Sequence, residues 1–164
     1  MLKATASRNG AAAAGPDPRI SLPLRMHLSF ALFADAANLS QEGKLNILGV
    51  FDAVQVAGLP TIHPRACLVV RLKGTRTDVG AHTITLRWVN PAGNELWTSN
   101  GELNVAQPPP AVTEMDFPLI ANIDLPLDST GTYAMQVALD GVSHGDVKLH
   151  VRAESVIPSG SLVS

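Results

Sequence analysis

Residues 131–153 read GTYAMQVALDGVSHGDVKLHVRA, and their apolar residues recur at every second position on both sides of one turn. The residues that share this period are Tyr133, Met135, Val137 and Leu139 before the turn, and Val147, Leu149, Val151 and Ala153 after it. Asp140 and Gly141 lie between the halves, and Asp-Gly is a favoured two-residue hairpin turn. A period of two is the side-chain period of a β-strand, so the stretch predicts an antiparallel hairpin with one buried face.

The same alternation continues toward the N-terminus. Six more segments carry it: residues 26–35, 44–56, 65–73, 82–89, 95–105 and 115–125. Turn-forming residues separate nearly every pair of segments, at roughly ten-residue spacing. The pattern predicts an all-β fold, an antiparallel two-sheet β-sandwich of about eight strands, because a single sheet would leave one apolar face in water.

Four details refine this prediction. Gly49 lies in the middle of the second predicted strand and indicates a bulge. The proline-rich connector at residues 107–110 is stiff and extended, which predicts a crossing between the two sheets. Tyr133 resembles the tyrosine corner of sandwich domains, where the hydroxyl bonds upstream backbone. Trp88 and Trp97 share the parity of core residues, so we expect both to be buried.

The ends of the chain differ from its middle. Residues 1–24 are rich in Ala, Gly and Pro without periodicity, so we expect a disordered tail. The β-sandwich domain is expected over residues 25–154, and a flexible C-terminal tail over residues 155–164. The segment most like a secretory leader, residues 25–36, contains His27 and has an aspartate where the cleavage site requires a small neutral residue. We therefore expect no cleaved leader.

Composition excludes several classes of function. Of the 164 residues, 46% are hydrophobic and 16% are charged, which is typical of one folded domain. The net charge is −2 and the basic residues are scattered singly, so no nucleic-acid partner is expected. No apolar run approaches the ~18 residues that span a bilayer, so no membrane partner is expected. A single cysteine, Cys67, excludes an internal disulfide framework and favours the cytoplasm.

Polar residues cluster near the first predicted hairpin. They are Asp35, Asn38, Glu42 and Asp52. Calcium takes about six to eight oxygen ligands, but this spacing matches no known calcium loop. Asp and Asn at turns more often bond their own backbone. We therefore predict turn residues here and no metal site.

No reactive set of residues is evident elsewhere. The chain has five histidines: His27, His63, His82, His144 and His150. None of these pairs has the short offset of a zinc site. Ser99, Ser129 and Ser143 lack the glycine-flanked elbow of a nucleophile, and Cys67 lies on a strand as an inert thiol. We expect no catalytic residue, cofactor or metal.

Several short motifs resemble a family of uncharacterised bacterial proteins, a conserved domain of unknown function. The motifs are Ala34-Asp35-Ala36, Gln41-Glu42-Gly43-Lys44, Leu48-Gly49-Val50-Phe51-Asp52, His63-Pro64, Gly131-Thr132-Tyr133 and Asp140-Gly141. The resemblance covers most of residues 26–153. It implies a small β-sandwich of bacterial or phage origin, with Met26 as the natural beginning of the domain, and it carries no catalytic residues across.

The sequence favours a non-catalytic binding or interaction module whose loops or edge strands meet a protein partner or a second copy of the chain. The candidate interaction residues are Asp35, Asn38, Glu42, Asp52 and His63, and the longest predicted loops are residues 58–64, 74–80 and 106–113. Two alternatives stay open. One is a virion or cell-surface structural protein. The other is a small hydrolase or lyase that uses Asp35 and Asp52 with His63 or His82.

Overall fold

The computed structural model describes residues 25–155, and β-strands make up most of them. The strands are β1 (His27–Leu39), β2 (Leu45–Phe51), β3 (Ala53–Val56), β4 (Thr61–Thr75), β5 (Gly80–Val89), β6 (Glu95–Val105), β7 (Glu114–Leu127), β8 (Gly131–Leu139) and β9 (Val142–Ala153). One turn of 3₁₀-helix, Arg76–Asp78, joins β4 to β5. The predicted all-β class is confirmed, with nine described strands in place of about eight.

The strands form two sheets. The four-stranded sheet has the order β2-β1-β4-β7, and the five-stranded sheet has the order β3-β9-β8-β5-β6. All neighbours are antiparallel except β3 and β9, which are parallel. The proline-rich connector between β6 and β7 runs from the five-stranded to the four-stranded sheet, so the predicted crossing is confirmed.

The prediction of one continuous strand over residues 44–56 is wrong. β2 ends at Phe51 in the four-stranded sheet, and β3 begins at Ala53 in the five-stranded sheet. At the crossing, the backbone oxygen of Asp52 accepts a hydrogen bond of 2.7 Å from the backbone N–H of His150. Apolar residues on both sides of the crossing pack against the core, so alternation alone does not reveal it.

The core lies between the sheets. Its largest fully buried side chains include Phe33, Leu68, Leu72, Trp88, Leu125, Tyr133, Met135 and Leu149. Trp88 stacks on Tyr133 at 5.1 Å between ring centroids, and Phe33 meets Trp88 edge-on at 6.0 Å. The indole N–H of Trp88 donates to the backbone oxygen of Pro126, so this buried donor is satisfied.

The set of β1 side chains that faces the core changes partway along the strand. The sequence predicts that Met26, Leu28, Phe30, Leu32 and Ala34 share one face of the strand. A β-bulge between Leu28 and Phe30 makes this wrong beyond Leu28. Leu28 pairs with Leu72, a core residue, whereas Phe30 pairs with Arg71 on the opposite face. Phe33 consequently joins the core, because one extra residue reverses side-chain parity.

Tyr133 confirms the predicted tyrosine corner. Its hydroxyl accepts from the backbone N–H groups of Asp128 and Ser129, each at 2.9 Å, and donates to the carboxylate of Asp128 at 2.7 Å. The fully buried ring thereby fixes the connection between β7 and β8. The carboxylate also accepts from Asn90, and the hydrogen bond from Tyr133 is the main reason that the pKa of Asp128 is lowered.

The two predicted tails, residues 1–24 and 155–164, lie outside the described residues except for Ser155. Between residues 25 and 155 there is no helix that is both long and apolar enough to cross a membrane.

Candidate functional site

Three of the five predicted interaction residues lie on the β1–β2 hairpin. Asn38 accepts a hydrogen bond of 2.9 Å from the amide of Asn46 across the hairpin. Glu42 forms an exposed ion pair of 2.6 Å with Lys44 in the turn. The Asp35 side chain lies over Gly49, where an added Cβ would stand 2.1 Å from Asp35 Oδ2. These contacts give the three side chains local roles in the hairpin, but the prediction of turn residues is wrong for Asp35 and Asn38, which lie within β1.

The other two residues flank Phe51, where the chain leaves the four-stranded sheet. His63 packs its ring against Phe51 at 5.5 Å between centroids, and Asp52 follows Phe51 directly. Among residues 25–155, His63 forms no hydrogen bond with Asp35 or Asp52. The structure therefore places three of these residues on the β1–β2 hairpin and two beside Phe51, without joining them into one reactive set.

His82 lies elsewhere, beside a cavity of about 510 Å³ whose lining includes Asp78, Asp140 and His144. Its Nδ1 is 2.7 Å from Asp140 Oδ2, and its Nε2 is 2.6 Å from the backbone oxygen of Asp78. Both partners accept, so an imidazolium with two N–H groups satisfies both. The hydrogen bond with Asp140 is the main reason that the pKa of His82 is raised and that of Asp140 is lowered.

The acids and histidines of the hydrolase alternative do not converge. The Asp78 backbone contacts His82, and the Asp78 carboxylate accepts a hydrogen bond of 3.0 Å from the backbone N–H of Met26. Met26, just before β1, therefore lies close to His82. Asp35 is nine residues further along β1, which corresponds to roughly 25–30 Å of extended chain. No direct proton transfer can connect Asp35 with His82 over that span. No group of three or more His, Cys, Asp or Glu residues in the described chain is arranged to hold a metal ion.

The outer face of the four-stranded sheet, turned away from the five-stranded sheet, is the most unusual surface of the domain. Strand register gives the residues of its centre, here called the apolar face: Phe30, Leu32, Ala34, Ala36, Leu48, Val50, Cys67, Val69 and Ile120. Leu48 is 71% exposed and Val50 is 61% exposed. Charged pairs, Arg71 with Asp116 and Lys73 with Glu114, lie beyond one end.

The outer face of the five-stranded sheet has the opposite character. Its central residues are Thr83, Thr85, Arg87, Gln136, Asp146, Lys148 and His150. An antiparallel sheet with one wet face normally alternates in this way. The four-stranded sheet breaks the rule, because apolar residues occupy both of its faces. A contiguous apolar area on a folded surface commonly marks a binding site.

The apolar face has relief. Leu48 and Val50 project from the edge strand β2, whereas Ala34 and Cys67 on the central strands are 0% and 1% exposed. Leu48 and Val50 therefore form an exposed ridge at the edge of the face, beside a centre whose small side chains are closed to water. Burial at this centre raises the pKa of the Cys67 thiol, so the thiol is neutral at physiological pH.

Sequence reasoning missed this surface although the signal was present. Apolar residues on both faces of β1 predict a well-covered central strand, and the strand is indeed central. The further signal lies in β2, where Leu48 and Val50 occupy the parity opposite to Ile47 and Phe51. An edge strand with apolar residues on both of its faces indicates that the outer face of the sheet is apolar and that its exposure to water is unfavourable.

Residues 29–152 match DUF6941, a family of unknown function. The chain belongs to this family. The match spans both sheets of the sandwich, so the DUF6941 domain and the described fold coincide. No curated protein matches this DUF6941 chain in sequence. Among solved structures, it is similar to an immunoglobulin-like protein from Pseudomonas aeruginosa, with a TM-score of 0.37 and 11% identity over 80% of this chain and 100% of that one.

Proposed function

We propose that this DUF6941 domain is a non-catalytic interaction module that binds a second copy of itself through the apolar face. The observation that carries the proposal is the exposure of Leu48 and Val50, 71% and 61%, at the ridge of a contiguous apolar area. Burying such side chains contributes roughly 25 cal/mol per Å² of apolar surface removed from water. A partner that covers this face therefore gains free energy that the polar face opposite does not offer.

The size of the face suits a dimer. β1 has 13 residues and extends about 40 Å at ~3.3 Å per residue, and four strands at ~4.8 Å spacing span about 19 Å. The apolar face takes up about half of that length, from Phe30 to Ala36, so it covers roughly 400 Å² per copy and would form the apolar centre of a standard interface of ~800 Å² per partner, with polar residues around it as the rim. Sheets also pack face to face inside every sandwich, so the required geometry is an ordinary one.

The relief of the face favours a second copy over an unrelated partner. In a two-fold dimer the same patch faces itself, so any ridge of one copy meets the other copy's surface reciprocally. In such a dimer Leu48 and Val50 of one copy pack against the apolar face of the second copy, and the reverse contact follows by symmetry.

The non-catalytic part of the proposal is supported by the separation of the acids and histidines described above. His82 and Asp140, the closest acid–histidine pair, form hydrogen bonds that join the loop before β5 to the β8–β9 turn. A structural role in a virion or at a cell surface, and a cytoplasmic location, stay predictions of the sequence.

Sedimentation equilibrium of the full chain and of Val50→Lys tests the proposal. The native chain is expected to form dimers within about 1–500 μM, and Val50→Lys is expected to weaken dimerisation by about 100-fold, because it places a charge in an apolar contact. Val142→Lys is the matched control, since Val142 is also 61% exposed but lies in the β8–β9 hairpin. It should dimerise like the native chain.

A strictly monomeric native chain across that range would overturn the proposal. Equal dimerisation of Val50→Lys and the native chain would overturn it as well, because the contact would then lie elsewhere. Leu48→Lys, at the same ridge, repeats the test if Val50→Lys has a lowered melting temperature.

A further inference from the structure

A groove opens along one side of the sandwich, away from the apolar face. Within residues 25–155, β6 is the last strand of the five-stranded sheet and β7 the last strand of the four-stranded sheet. Both edges lie on the same side, and residues 106–113 connect them at one end. Edge strands present unpaired backbone N–H and C=O groups, which another chain can pair with.

The groove exists because small side chains occupy its walls. Along β6, the residues that face inward are Trp97, Ser99, Gly101 and Leu103, and Ser99 and Gly101 lie opposite Ala121 of β7. Two adjoining cavities of about 240 Å³ and 490 Å³ result, with Leu86 lining both. The expectation that Trp97 is buried like Trp88 is wrong: Trp97 and Leu86 are only half-buried, although both pack against the core. The core is therefore underfilled at this edge.

The groove carries a negative charge at one end. The residues that line the two cavities include one charged side chain, Asp124, at the end away from the connector. Its carboxylate accepts a bond of 2.9 Å from the backbone N–H of Arg65, and the described chain gives it no ion pair. A basic side chain at this end of a ligand would supply the missing cation.

We propose that the β6 edge accepts an extended segment of a partner protein, which adds as a strand and directs alternate apolar side chains over Ser99 and Gly101. The path from Leu103 to Trp97 is six residues, or about 20 Å, so the segment has about six or seven residues. Backbone pairing gives such a complex its affinity, and pockets for alternate side chains give its specificity. The complementary segment alternates apolar and polar residues and has a Lys or Arg at the Asp124 end.

Peptide binding to the full chain tests this inference. The probe is the blocked heptapeptide Lys-Leu-Thr-Val-Thr-Leu-Lys, whose lysines reach Asp124 in either strand direction. The control is Lys-Leu-Leu-Val-Thr-Thr-Lys, which has the same composition without alternation. The alternating peptide is expected to change the emission of Trp97, which lines the groove, and to slow amide hydrogen exchange in β6. The control peptide is expected to bind about tenfold more weakly or less.

Variants that fill the groove separate this site from other surfaces. Ser99→Leu should occupy the space and weaken the alternating peptide by about tenfold or more, whereas Asn104→Val, on the outward face of β6, should bind it normally. Gly101→Val provides a second filled variant. The inference is overturned if both peptides bind alike, if neither changes Trp97 emission or β6 exchange at millimolar concentration, or if both filled variants bind as the native chain does. The dimer of the apolar face is unaffected by any of these outcomes.

Discussion

Gly49 illustrates at the scale of one residue how the hairpin and the apolar face are built. Its φ of 68° lies in the left-handed region, and its missing Cβ leaves room for the Asp35 carboxylate. The sequence prediction of a bulge is wrong here, because Val50 and Leu48 keep continuous register with Ala34 and Ala36. Glycine is required so that Asp35 can lie across the strand while the exposed ridge on either side keeps its parity.

We predict that Gly49→Ala destabilises the domain by about 2–3 kcal/mol, because left-handed strain adds to the clash with Asp35. Gly43→Ala is the control: Gly43 also has positive φ, 77°, but no atom would meet its Cβ within 4 Å. It should cost only the strain, about 1 kcal/mol. Chemical denaturation measures both values. If Asp35→Ala does not recover part of the Gly49→Ala loss in the double variant, the proposed contact is wrong.

The His82–Asp140 pair predicts a pH dependence of stability. The folded pKa of His82 is raised above its ordinary 6.5, so its contribution is complete below that value and disappears as pH rises through the raised pKa. The folded pKa of Asp140 is lowered below its ordinary 3.8, so its contribution is present above that value and disappears as pH falls. The pair therefore stabilises most between about pH 4 and 6.5.

Thermal melts of the native chain and His82→Gln measure this effect. The native advantage should be at most about 1 kcal/mol, because Asp140 is 53% exposed, and it should shrink above neutral pH. His150→Gln, on the outer face, should change the pH profile little. An advantage for the native chain that is constant from pH 5 to 9 would contradict the pairing.

At the scale of elements, alternation predicts which segments are strands but not where they change sheet. The last hairpin, β8 and β9, forms with the predicted turn because Asp140 and Gly141 both take the positive φ that the turn requires, although its register shifts between Val137 and Ala138. The division at Asp52 and the bulge after Leu28 could not be predicted, since both depend on partners distant in sequence. Tertiary pairing decides such irregularities, and local propensity does not.

The connection between β7 and β8 depends on Tyr133. We predict that Tyr133→Phe destabilises the domain by about 1–3 kcal/mol, because the backbone N–H groups of Asp128 and Ser129 lose their acceptor. The pKa of Asp128 should also rise toward its ordinary value, since the bond from Tyr133 is the main cause of its lowering. Denaturation and carbon NMR titration of the Asp128 carboxyl measure the two effects. A loss below about 0.5 kcal/mol with an unchanged Asp128 pKa would contradict this role.

At the scale of the whole molecule, the domain has a polar outer face, an apolar outer face and an open edge. The sequence predicts the sandwich and an interaction role, but it places the candidate site in loops such as those of Glu42 and His63. The predicted loop at His63 is wrong, because this residue lies within β4. The apolar face is harder to predict, because an apolar strand residue such as Val69 is expected both on a face that packs against the core and on a face that binds a partner. Only the pairing of β4 with β1 and β7 shows that Val69 faces outward.

Solvent accessibility of individual methyl groups tests the central claim, that the apolar face is covered by a second copy, most directly. The measurement is the attenuation of methyl NMR signals by a soluble paramagnetic agent, at low and high protein concentration. We predict that the methyl groups of Leu48, Val50 and Ile120 become protected as concentration rises, while those of Val142 remain attenuated throughout. Equal attenuation of Val50 and Val142 at every concentration would contradict the claim.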